Sequence, residues 1–130
     1  MIVDTSVWVD AFREVRSKQT ELVIAYTVAD RRIYVTPTII QEVLQGVRTD
    51  DRYAIVKEGM LAQSLLKLDP VEAAIGAADL YRSLRKKGVT IRKPNDCLIA
   101  HYAIFYDMPI LHNDVDFDQI ARHTTLRVVV

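Results

Sequence analysis

Asp4, Glu42, Asp96 and Asp114 stand out because each acid falls where the local pattern predicts a strand end, a helix face or a helix start. Asp4 ends the apolar run Met1-Ile2-Val3 and Glu42 closes Thr38-Ile39-Ile40-Gln41-Glu42. Asp96 lies in Pro94-Asn95-Asp96-Cys97, and Asp114 follows Ile110-Leu111 closely. If one fold gathers these carboxylates, their mutual repulsion needs a divalent cation, and a cation held by carboxylates implies phosphoryl or phosphodiester chemistry. Hard oxygen donors suit Mg2+ or Mn2+, which keep several waters and take one or two direct carboxylates, so the remaining acids act through water. Such an ion lowers the pKa of its water, orients a phosphate and offsets charge on the departing oxygen, so no nucleophilic side chain is required. Taken singly, each acid also reads as a turn, cap or solvated residue. The combination is what argues for a site.

The elements that must position these acids follow from periodicity and punctuation. Ile2-Val3 reads as a strand, and Thr5 or Ser6 can cap a helix carrying Val7, Trp8, Ala11 and Phe12. Leu22, Val23, Tyr26 and Ala29 recur at helical spacing, and Ile33-Tyr34-Val35 is a second strand candidate. Thr36-Pro37 opens a helix that Gly46 closes, and Thr49 or Asp50 starts the next. Leu65-Leu66-Lys67-Leu68 reads as a third strand. Pro70 begins a long helix ended by Arg85-Lys86-Lys87-Gly88, and Asn95 is positioned to cap a helix from Asp96 to about Phe105. Asp107-Met108-Pro109 forces a turn before Ile110-Leu111, a short helix spans Val115 to Arg122, and Leu126 to Val130 closes the pattern as a strand. Strands alternating with helices predict an α/β sandwich with a mostly parallel sheet, whose ligands bind at the carboxyl ends of the strands, where Asp4 and Asp114 would lie.

At 130 residues the chain suits a single domain over residues 1–130. With 17 basic and 17 acidic residues it has no global nucleic-acid signature, so any charge argument is local. Cys97, the only cysteine, excludes an intrachain disulfide and reads as a buried thiol of a reduced, cytoplasmic protein. The sequence contains neither a signal-peptide pattern nor a membrane span.

Ile2-Val3-Asp4-Thr5-Ser6, Ile39-Ile40-Gln41-Glu42-Val43, Asn95-Asp96-Cys97-Leu98-Ile99-Ala100 and Ile110-Leu111-His112-Asn113-Asp114-Val115-Asp116-Phe117 together resemble the ordered motifs of PIN-domain nucleases. Size and motif order resemble the VapC toxins of VapBC toxin-antitoxin pairs, and the likeness covers almost the whole chain. The resemblance implies a three-layer α/β/α sandwich with about five strands and a Mg2+- or Mn2+-dependent endoribonuclease. It implies Asp4, Glu42, Asp96 and Asp114 as the acidic site, with Asp4 and Asp96 the firmest metal ligands. Thr5 or Ser6 would hold Asp4 or a metal-bound water, and Asp116 would be a supporting acid or a solvated cap. It further implies an RNA substrate, a homodimer and a VapB-like antitoxin that blocks the acidic groove.

His112 departs from the family pattern, which often has threonine or serine at this position. The residue is read either as a contact to phosphate or metal-bound water, or as a histidine satisfied within the fold. His101 and His123 read as structural or solvated. Candidate RNA contacts are Arg92 and Lys93, nearest Asp96, together with Arg13, Arg16 and, less favoured, Arg85-Lys86-Lys87. Trp8, Phe12, Tyr53 and Met60 are the candidates for a dimer surface if exposed. Other readings remain at this point: a haloacid-dehalogenase-type phosphatase, although Ser6 stands where its second Asp belongs; a phospho-acceptor module; and a non-catalytic domain with solvated acids.

Overall fold

Ile2-Val3 and Tyr34-Val35 stop at the capping residues Asp4 and Thr36, so each becomes a two-residue strand that launches a helix from the same sheet edge. The computed structural model describes residues 1–129 and has the order β1 (Ile2–Val3), α1 (Thr5–Phe12), α2 (Lys18–Val28), β2 (Tyr34–Val35), α3 (Pro37–Gln45) and α4 (Asp50–Leu61). It continues with β3 (Ser64–Leu65), α5 (Pro70–Lys86), α6 (Pro94–Phe105), β4 (Ile110–Leu111), α7 (Val115–His123) and β5 (Val128–Val129). Val130, which the sequence adds to the closing strand, lies outside the described residues.

The strands form one five-stranded sheet in the order β3-β2-β1-β4-β5, and every pairing is parallel. Ile2 is in register with Tyr34 on one side and Ile110 on the other, so β1 lies at the centre. Ile2, Val3, Ile110 and Leu111 are fully buried, as a parallel sheet covered on both faces requires. Parallel pairing requires crossover connections, and the helices that make them flank the sheet in the expected α/β/α layering. The chain steps outward from β1 to β3 and then returns to the other side of β1 with β4. That reversal opens a crevice at the carboxyl ends of β1 and β4, the place where such sheets bind ligands.

Local sequence explains most helix boundaries. Thr36 caps α3 by accepting the Ile39 N–H at 3.2 Å, with Pro37 in the first turn, and Asp69 caps α5 ahead of Pro70. Elsewhere the caps differ from expectation. Asp4 itself, rather than Thr5 or Ser6, caps α1. Lys93, rather than Asn95, occupies the cap of α6 and makes no side-chain capping bond. The third strand is Ser64–Leu65 instead of the apolar run Leu65 to Leu68, because register with Tyr34 and Val35 selects the earlier residues. Leu66 is nevertheless buried.

The helices that carry α6 into place pack closely. A Cβ on Gly76 of α5 would lie 2.2 Å from the His101 ring of α6, so glycine at this position lets the imidazole lie against the α5 backbone. Trp8 and Met60 are core residues and are corrected as dimer-surface candidates, whereas Phe12 is half-buried and Tyr53 exposed. Among the described residues no helix is long and apolar enough to cross a membrane.

Candidate metal centre

Asp4 reaches the crevice because β1 ends there. Its Oδ2 accepts the Ser6 N–H at 3.1 Å, as a helix cap does, and the Ser6 hydroxyl at 2.6 Å. Ser6 Oγ also accepts the Asn113 N–H at 3.0 Å, which ties the end of β1 to the loop after β4. Burial pushes the Asp4 pKa up, while the Ser6 bonds oppose the shift.

Asp96 enters from the first turn of α6. It is 4% exposed, and its Oδ2 has no hydrogen-bond partner. Burial, followed by the negative charges of Asp114 and Asp4, raises its pKa to about 8. Asp114 caps α7 through Oδ1, which accepts the Asp116 N–H at 3.0 Å, and its Oδ2 accepts Lys93 Nζ at 3.1 Å. Burial works to raise the Asp114 pKa, but the Asp116 N–H and the Lys93 ammonium outweigh it and hold the group below its ordinary value.

Asp116 is 5% exposed, which corrects its reading as a solvated cap. Its Oδ2 is a second buried oxygen without a hydrogen bond, since Arg92 Nε, at 3.7 Å, is too distant to donate one. Asp96, Asp114 and Asp116 each offer a carboxylate oxygen, all within 4.8 Å of one another. Two orphaned buried oxygens beside like charges are costly unless a cation completes them. This observation fits the residues to a metal ion. The donors are hard oxygens. His112 Nδ1 accepts a backbone N–H and Nε2 faces Asp118, and burial pushes the Cys97 thiol up to about 11, so the set that gathers is one of oxygens.

Glu42 lies on α3, half-buried, and its Oε1 accepts the Thr5 hydroxyl at 2.9 Å. Thr5 therefore holds Glu42, while Ser6 holds Asp4. His112 is the histidine satisfied within the fold: Nδ1 accepts the Asp114 N–H at 3.0 Å and Nε2 lies 3.2 Å from Asp118 Oδ1. The ring is buried, with one nitrogen engaged by a backbone N–H and the other facing Asp118, which favours this reading over a contact to phosphate or a metal-bound water. Lys93 and Arg92 stand at the cluster's rim, whereas Arg13 lines a separate cleft of about 430 Å³ with Arg48 and Arg52.

Sequence reasoning underweighted Asp116. The signal was its place two residues beyond a capping Asp and directly before Phe117, which is fully buried. The burial of Asp4, Asp96 and Asp116 also removes the reading of a non-catalytic domain with merely solvated acids.

Comparison with known proteins identifies the family. The PIN domain family model matches residues 1–123. A VapC ribonuclease of Mycobacterium bovis is 35% identical over 128 residues, covering 98% of this chain and 96% of that protein. A VapC ribonuclease of Mycobacterium tuberculosis matches to the same extent, at 35% over 128 residues. Among solved structures, the fold is similar to a chain of the DNA-bound VapBC2 complex of Rickettsia felis, with TM-score 0.77, 16% identity and coverage of 98% of this chain and 96% of that one. A chain of the DNA-bound VapBC complex of Salmonella typhimurium also gives TM-score 0.77, with 20% identity and coverage of 98% and 95%. The phosphatase and phospho-acceptor readings fall away, and the chain belongs to the PIN domain family.

Proposed function

We propose that this protein is a metal-dependent endoribonuclease, the toxin of a type II toxin-antitoxin pair, acting in the cytoplasm as one domain over residues 1–130. The observation that carries the reading is the pair of buried, unpartnered oxygens on Asp96 and Asp116 beside Asp114, at the crevice where β1 delivers Asp4. The 35% identity to proteins named VapC ribonucleases supports RNA as substrate.

Asp96, Asp114 and Asp116, with Asp4 beside them, would hold Mg2+ or Mn2+. The ion supplies Lewis-acid polarisation of the phosphodiester and activation of water for its hydrolysis. Asp4 is locked in orientation by Ser6, so its carboxylate is presented without reorganisation. Glu42, held at one oxygen by Thr5 and outside the tight cluster, suits proton transfer to or from water or the departing oxygen. Arg92 and Lys93 supply positive charge for the RNA backbone. A VapB-like antitoxin would silence the site, with a basic side chain offered to the same carboxylates. A second copy would cover apolar surface such as Val71 and Ile75 on α5 and Phe105 on α6, which are exposed in the single chain.

Purified protein free of antitoxin should cleave RNA with Mg2+ or Mn2+ and stop in EDTA. Cleavage unaffected by EDTA would overturn the reading. Cys97→Ser should retain metal-dependent turnover while losing about 1–2 kcal/mol of stability, because a hydroxyl replaces a buried thiol. Loss of turnover in a folded Cys97→Ser protein, checked by thermal melting and cleavage, would give the thiol a role the geometry does not.

A further inference from the structure

Lys93 occupies a position that the helix it precedes does not favour. It is the cap residue of α6, where Ser, Thr, Asp or Asn would satisfy a backbone N–H, and it makes no capping bond. Its charge also has the wrong sign for the partial positive charge of a helix N-terminus. The compensation lies across the crevice. Nζ donates to Asp114 Oδ2 at 3.1 Å, and the charges of Asp96 and Asp4 also favour the ammonium form. The lysine side chain remains 64% exposed, while the Asp114 side chain is 11% exposed. One end of the pair is therefore anchored, and the other is a flexible stem in solvent. Pairs of this kind are weak and easily exchanged.

Asp114 Oδ2 is also an oxygen of a residue in the tight acidic cluster. A cation arriving there meets an oxygen already engaged by an ammonium group. We propose that Lys93 is a resident counter-cation that exchanges partners, neutralising Asp114 when the centre lacks a divalent ion and moving to a backbone phosphate of RNA when the ion is bound. The phosphate half rests on the nuclease reading above, whereas the competition at Asp114 does not. Arg92 does not share this role: its Nε is 3.7 Å from Asp116 Oδ2 and leaves that oxygen without a hydrogen bond.

The exchange has a signature of opposite signs. Lys93→Met keeps the apolar stem and removes the charge, so the Mn2+ Kd measured by calorimetry should fall about three- to tenfold. At saturating Mn2+, KM for RNA should rise about tenfold with kcat within about twofold, and salt should weaken RNA binding less steeply by about one ion. Lys93→Arg should restore most of the KM. Thermal melting in EDTA verifies that each variant is folded.

A static structural ion pair predicts a different result, a lower melting temperature in EDTA with KM for RNA and its salt dependence unchanged, and Mn2+ affinity that is unchanged or weakened would overturn the competition. An unchanged KM would overturn the move to phosphate. Wild-type protein that binds Mn2+ yet cleaves no RNA would overturn the nuclease reading and the phosphate half with it. A tighter Mn2+ site in Lys93→Met would still uphold the competition at Asp114.

Discussion

Asp96→Asn will give a protein that is at least about a thousandfold slower at cleaving RNA, a loss of about 4 kcal/mol of barrier lowering, and more stable than the parent in EDTA at neutral pH. Both effects come from one carboxylate. It is buried beside Asp114 and Asp4 with an unpartnered oxygen, so it provides ligand charge and is costly to ionise without a cation. The folded, metal-free protein raises its pKa from 3.8 to about 8. Below pH 3.8 the folded and unfolded states both keep the proton. Between the two values the unfolded chain releases it and the folded chain retains it, so stability falls as pH rises and levels off above about 8. Asparagine has no such proton, and its amide can donate toward Asp114. The melting-temperature advantage of Asp96→Asn should therefore be absent near pH 4 and grow toward pH 8. Parental turnover in the variant, or a pH-independent difference in melting temperature, would sink the assignment of Asp96.

The second large effect is proton-linked metal binding. A ligating carboxylate must be ionised, and near pH 7 the Asp96 proton is still present in the metal-free protein. Binding of Mn2+ should release close to one proton, so affinity should strengthen about tenfold per pH unit from pH 6 toward 8 and then flatten. Calorimetry in two buffers of different ionisation enthalpy measures the release directly. Mn2+ at a hundred times its Kd should stabilise the fold by about 2.7 kcal/mol. Affinity that did not change over this range would mean that Asp96 is ionised before the ion arrives.

The sequence revealed the sheet and its helices because apolar runs stop at residues with plain local meaning, such as Thr36-Pro37 and Asp69-Pro70. The caps of α1 and α6 were less legible. Asp4 is a favoured cap type that competes locally with Thr5 and Ser6, whereas Lys93 is placed by its pairing with Asp114, which a local preference for Ser, Thr, Asp or Asn does not include. The orientations of Asp116 and His112 are likewise tertiary facts. They follow from the Asp114 cap, from the ring's bond to the Asp114 N–H and from its approach to Asp118, all made after β4 and α7 are in place. The early strand-end acid Asp4 was readable because a two-residue strand leaves little freedom over where the chain emerges.

The register of β1 has a consequence for the protein while it is being made. Ile2 sits between Tyr34 and Ile110, so the central strand waits for a partner synthesised more than a hundred residues later. Pairing at such separation is slow, and the chain emerges from the ribosome N-terminus first. A nascent chain that already carries Asp4, Glu42 and Asp96 lacks the β1–β4 pair, and Asp114 and Asp116 are still to come. The ribosome thus produces a polypeptide whose acidic centre is not assembled until Asp114 and Asp116 have emerged, and the docking of β4 beside β1, rather than the synthesis of any one acid, brings the centre into being.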